Sequence, residues 1–195
     1  MRKLIIPAFI VMVLAQWAVP LKMIADSESV LTSGTEYKFR TQPIDPSDPF
    51  RGKYVTLRFN AEVFETDTVY KFASGQQVFA LLGVDSAGFA TVTKLYPENP
   101  TDQDFNVLKT QVYYASVYDG KQVVNLNFPF DRFYVEESKA SETERVYWEA
   151  QRDSAQVAYA LVRLKNGQGI IRELMINDRP ILEIVRELNE KEIQK

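Results

Sequence analysis

Two segments eighty positions apart, PFRGKYV at 49–55 and PFDRFYV at 129–135, share the pattern PFxxxYV. The same offset returns further along, where FALLGV at 79–84 lies eighty positions before YALVRL at 159–164. After one deletion at the following turn, Val92 and Leu95 match Ile171 and Leu174. An offset shared by separate blocks points to an internal duplication, and so to two similar units packed round one core. The plainer alternative is that any two β-hairpins with aromatic strands resemble each other.

Between these blocks apolar and polar residues alternate in short runs, the period of half-buried strands. Strands are predicted at 37–41, 54–64, 78–84, 89–96, 107–118, 122–127, 155–165 and 169–176. Asp85-Ser86-Ala87-Gly88, Asp119-Gly120-Lys121 and Asn166-Gly167 supply hairpin turns that need positive φ. The expected fold is mainly β: a sandwich or partly open barrel with pseudo-twofold character and one or two short helices. One helix is predicted behind a capping box at Ser141-Glu142-Thr143-Glu144, running to about Arg152. The other follows Pro180, with Ile181, Leu182, Ile184, Val185 and Leu188 on one face. The single β domain is expected over 36–180, its halves about 36–100 and 107–180, with 181–195 as a terminal helix or tail.

Residues 4–21, LIIPAFIVMVLAQWAVPL, carry no charge. As a helix at about 1.5 Å per residue the run covers about 27 Å, close to the hydrocarbon thickness of a bilayer. Arg2 and Lys3 precede it, while Lys22 and then Asp26 and Glu28 follow. That asymmetry places the N-terminus in the cytoplasm and the remainder outside. The chain then divides into an anchor over 1–24, which meets lipid through 4–21, and a polar linker over 25–35. A cleaved signal peptide is the competing reading, but residues 15–30 hold no Ala-x-Ala pattern. Without residues 1–24 the chain keeps 20 basic and 26 acidic side chains, a net charge of -6. Such a domain is not drawn to an anionic bilayer by its overall charge.

The chain has no cysteine and no histidine, which removes disulfides, thiolate zinc sites, Cys nucleophiles and every Ser-His or His-metal scheme. Lys and Arg total 23 against 26 Asp and Glu, so no basic excess suggests nucleic acid. Ser-Lys hydrolysis would survive these losses, but its Ser-x-Met-x-Pro type block is missing. No enzyme, cofactor or metal is expected.

The run TQPIDPSDPFRGKYVTLRF at 41–59 resembles the signature of the GDYXXLXY protein family, T-x-P-x-D-P-x-D-x-x-R-G-D-Y-V-x-L-x-Y. Residues 130–137, FDRFYVEE, are similar to that family's second aromatic block. The resemblance implies a bacterial, single-pass protein of the cytoplasmic membrane with an extracytoplasmic domain, associated in some members with a polytopic membrane protein. Lys53 stands where the family has Asp, and Phe59 where it has Tyr. A lysine cannot replace an acceptor carboxylate, so either the family Asp is structural or this member is inactive, and the structural reading is preferred. Gly52 then supplies a close turn, Leu57 and Tyr54 turn inward or into an aromatic cluster, and Arg51 ties the loop acids.

Asp45, Asp48 and Arg51 lie in a loop framed by Pro43, Pro46 and Pro49. They serve either as an internal salt bridge or as a site for a ligand's charged group; two carboxylates fall short of the oxygens that calcium takes. If the two Pro-Phe corners converge, Arg51 and Arg132 with Tyr54 and Tyr134 form one polar cleft between the halves. The expected function is an interaction or accessory module for an envelope membrane protein, and the alternative is a small-ligand-binding domain using that cleft.

Overall fold

The computed structural model describes residues 2–43, 54–67, 72–100 and 107–193. Among the described residues the fold is mixed α/β rather than mainly β, with 44% strand and three helices. The first helix, α1 (Arg2–Ser33), does not stop at the end of the apolar run. Residues 25–33, read above as linker, continue it. By length and composition α1 suits a membrane span or a signal sequence, and its apolar window has no part buried in the rest of the protein.

The strands follow the alternation, with one break. β1 (Thr35–Arg40) is followed by β2 (Tyr54–Thr56), a 3-10 turn (Asn60–Glu62) and β3 (Val63–Thr66). What reads as one strand over 54–64 is therefore two, because the chain turns inward at Phe59 to bridge Thr41. Then come β4 (Gln77–Val84), β5 (Ala90–Tyr96), β6 (Val107–Tyr118), β7 (Lys121–Asn127) and β8 (Arg132–Tyr134). After α2 (Glu137–Arg152) follow β9 (Ala158–Lys165), β10 (Gln168–Ile176), β11 (Arg179–Pro180) and α3 (Ile181–Ile193). Asp119, Gly120, Asn166 and Gly167 adopt positive φ as their turns require. So do Asn177 and Asp178, a hairpin turn without glycine that leads into β11.

The strands make no sandwich. Five of them, in the order β3-β7-β6-β4-β5, form a nearly closed barrel beside the smaller sheets β1-β9-β10-β11 and β2-β8. The hairpins β4–β5 and β9–β10 share one register. Ala80 faces Leu95 and Leu82 faces Val92, while eighty positions later Ala160 faces Leu174 and Val162 faces Ile171. Both second strands carry a one-residue bulge at the same step, after Val92 and after Ile171. The third strand of each group crosses over: β1 pairs with β9, and β6 pairs with β4. Each half thus lends its opening strand to the other half's hairpin.

Where these strands meet, Phe39, Phe59, Phe128 and Phe130 are buried together. The Phe39 ring stands edge-on to the other three at 5.7, 5.8 and 5.2 Å. Gly169 on β10 gives Phe130 its room: a Cβ there would lie 2.4 Å from the ring. Helix α2 begins at Glu137, one turn earlier than the Ser141 box suggests, and Glu136 makes no side-chain cap. Ala140, Thr143, Tyr147 and Ala150 form one buried stripe, so packing of that face outweighs Ser141's preference for a cap. Ile181 and Val185 bury the inner face of α3.

The end of α1 is fixed to this body. Val30 is only 3% exposed, and Lys165 Nζ donates to Ser29 Oγ and Ser33 Oγ at 2.6 and 2.7 Å. Gly34 N–H closes the helix on Val30 O at 2.9 Å, and Arg163 Nη1 donates to Gly34 O at 3.0 Å. A Cβ on Gly34 would lie 2.4 Å from Val30 O and 3.0 Å from Leu164 O, backbone on both sides. Gly34→Ala is therefore expected to loosen the helix from β9. Limited proteolysis should show new cleavage within residues 26–34 while the β domain's own resistance persists; an unchanged digest would count against this fixed joint.

Candidate functional site

The short ladder β2–β8 joins the two PFxxxYV blocks. Tyr54 lies opposite Tyr134, Val55 opposite Phe133 and Thr56 opposite Arg132. Tyr54 and Tyr134 are eighty positions apart, so exchanging the halves maps this pair onto itself. Val55 and Phe133 face the core and are buried, and strand alternation turns Tyr54, Arg132 and Tyr134 to the other side. There the tyrosine rings meet edge-on at 5.6 Å. The Arg132 guanidinium lies over the Tyr54 ring, 4.9 Å from its centre, a cation–π placement. Tyr134 is 67% exposed.

Electrostatics favour the charged guanidinium. The Tyr134 side chain, then Asp131 and Tyr54, hold Arg132 above its ordinary value. Its ion pair with Asp131, 3.7 Å from Nε to Oδ1, is solvent-exposed and so adds little to stability. The outcome is a fixed cation framed by two phenols, able to meet an anionic or carbonyl group. Leu57 and Phe59 are fully buried. Leu57 N–H donates to Asp131 O at 2.8 Å, which ties β2's exit to the entry of β8. Asp45, Asp48, Arg51, Gly52 and Lys53 lie outside the described residues. The structure thus brings together three of the four residues expected in the cleft, and the fourth, Arg51, lies outside the described residues.

Two buried polar groups close by were not singled out from the sequence. Glu62, in the 3-10 turn, is 5% exposed. Its Oε2 is 3.4 Å from Phe59 N and 3.5 Å from Arg58 Nη1. Burial pushes its carboxyl up to about 7, against the opposing pull of Arg58. The Arg58–Glu62 spacing was a visible signal for the pair, but its burial was not. Tyr147 on α2 is fully buried. Its hydroxyl sits beside Thr41 and Gln151 without a hydrogen bond of good geometry, while Gln151 Nε2 donates to Thr41 Oγ1 at 2.5 Å. Burial pushes the Tyr147 phenol up to about 12. Among the described residues no group of three or more acids is placed to hold a metal ion.

Set against known proteins, residues 16–174 match the family model described as GDYXXLXY protein. No curated protein and no solved structure matches the chain.

Proposed function

The chain belongs to the GDYXXLXY protein family, matched over residues 16–174, and from that membership we propose that it is a single-pass, extracytoplasmic module of the bacterial cytoplasmic membrane. In this reading it serves as an interaction or accessory subunit of a polytopic membrane protein. The observation that carries the proposal is α1, which runs unbroken from its apolar segment into the domain, where Val30 is buried and Lys165 grips Ser29 and Ser33. A helix that continues without a break from the apolar segment to its fixed end at Val30 favours an uncleaved anchor. It also gives the domain a set distance from the lipid, as a subunit meeting a membrane partner needs.

The exposed Tyr54–Arg132–Tyr134 group is the contact surface in this reading, because tyrosine and arginine are the side chains that most often carry interface energy. The full chain, solubilised in mild detergent, is expected to co-purify with a multi-span membrane protein. Changing Arg132 and Tyr134 to alanine should weaken that association and leave the melting temperature unchanged. A wild-type chain that is always recovered alone and monomeric would overturn the proposal.

A second reading rests on the cation–π geometry at Arg132: the cluster between the halves takes a small anionic ligand. Ligand bound only by the native state raises the melting temperature, so thermal shift against envelope fragments separates this reading from the first.

A further inference from the structure

Away from this cluster, three adjacent barrel strands present a row of carboxamides. Gln77 on β4 faces Gln111 on β6, and Gln111 in turn faces Asn127 on β7. All three are exposed, and neighbouring strands set them about 4.8 Å apart. They line a groove of about 290 Å³ together with Lys109, Thr110, Phe128 and Pro129. That volume is at the lower limit of small-molecule clefts. Among the described residues no side-chain hydrogen bond or ion pair engages the three amides or the Lys109 ammonium.

We propose that this groove is a saccharide subsite, in which the Gln77–Gln111–Asn127 row binds sugar hydroxyls and Lys109 takes the carboxylate of an acidic sugar. Each carboxamide offers two N–H donors and a carbonyl acceptor, so it can give to one hydroxyl and take from the next. Other ligand classes fit less well. An added peptide strand needs a free sheet edge, whereas β4, β6 and β7 each have a strand on both sides. A polyphosphate calls for several cations, and the groove has one. An apolar ligand would leave three amides without partners, which is unfavourable once water is excluded.

The test uses the full chain in lipid nanodiscs, free of glycoside detergent, with a galacturonic acid trimer and a neutral galactose trimer as probes. Both are expected to shift the side-chain amide resonances of Gln77, Gln111 and Asn127 to saturation, the acidic trimer at lower concentration. Gln111→Ala should weaken both about tenfold, and Lys109→Ala should remove only the preference for the acidic trimer. Because Gln111 is exposed, its melting temperature serves as the control for folding, and Asn127→Ala should repeat the loss. The proposal is overturned if neither trimer moves those resonances at millimolar concentration. It is equally overturned if binding of both trimers persists unchanged in Gln111→Ala, since the amide row would then not be what holds the sugar. Neither result bears on the anchor or on the membrane partner, which the co-purification tests separately.

Discussion

Phe39→Ala is expected to destabilise the domain by about 3–5 kcal/mol, the range for truncating a fully buried phenylalanine. The ring is fully buried and touches Phe59, Phe128 and Phe130, each edge-on and within 6 Å. Those neighbours come from separate parts of the chain: Phe59 follows β2, and Phe128 and Phe130 lie between β7 and β8. Alanine would leave a cavity that large rings on fixed backbones cannot close, and it would remove the aromatic pair contributions as well. Set against a total stability of about 5–15 kcal/mol for a domain, the loss is a large share. Urea unfolding of wild type, Phe39→Ala and Phe39→Leu is the check. Phe39→Leu should recover most of the stability, and a Phe39→Ala midpoint near that of wild type would refute the shared aromatic core.

Glu62→Gln is expected to stabilise the protein at pH 8 and to do little at pH 5. With its carboxyl at about 7 in the folded protein against an ordinary 4.5, the native state holds a proton that the unfolded chain has released between those values. Folding stability therefore falls as pH rises through that interval, and the cost is fully present above about pH 7. Glutamine keeps an acceptor for Phe59 N–H and needs no buried charge, so the variant should regain about 1–3 kcal/mol at pH 8. Arg58 loses its partner but is half exposed, and water can solvate it. Unfolding midpoints measured at both pH values decide the matter: wild-type and variant curves that run parallel in pH would mean that Glu62 titrates as an exposed acid does.

The strand pattern was legible because alternation, Asn-Gly and Asp-Gly turns are local signals. They located the hairpin strands to within a residue or two, except at the start of β9, which begins at Ala158 rather than 155. The eighty-residue offset carried more, since it anticipated both the shared register of β4–β5 with β9–β10 and the meeting of Tyr54 with Tyr134. Three features escaped for physical reasons. The helical state of residues 25–33 depends on the burial of Val30 and on Lys165 of β9 reaching Ser29 and Ser33, contacts that no polar stretch announces. The early start of α2 comes from burial of Ala140, a tertiary effect that overrides the local cap signal. Glu62's burial follows from the inward turn at Phe59, and a glutamate two residues from an asparagine reads as solvent-facing. Within the candidate cluster, Arg132, Tyr54 and Tyr134 were found through the repeat, whereas the cation–π placement is a matter of side-chain direction that spacing alone does not specify.

The exchange of opening strands between the halves has a consequence for biogenesis. β1 is synthesised before any part of its partner, and its register runs to Tyr159–Leu164, well over a hundred residues later. Until that far segment arrives, β1 is a thread with bare amide and carbonyl groups, an invitation to the wrong neighbour. In the anchored reading proposed above, attachment through α1 would keep that thread beside its own late-emerging complement, and so act as a guard against mispairing between copies.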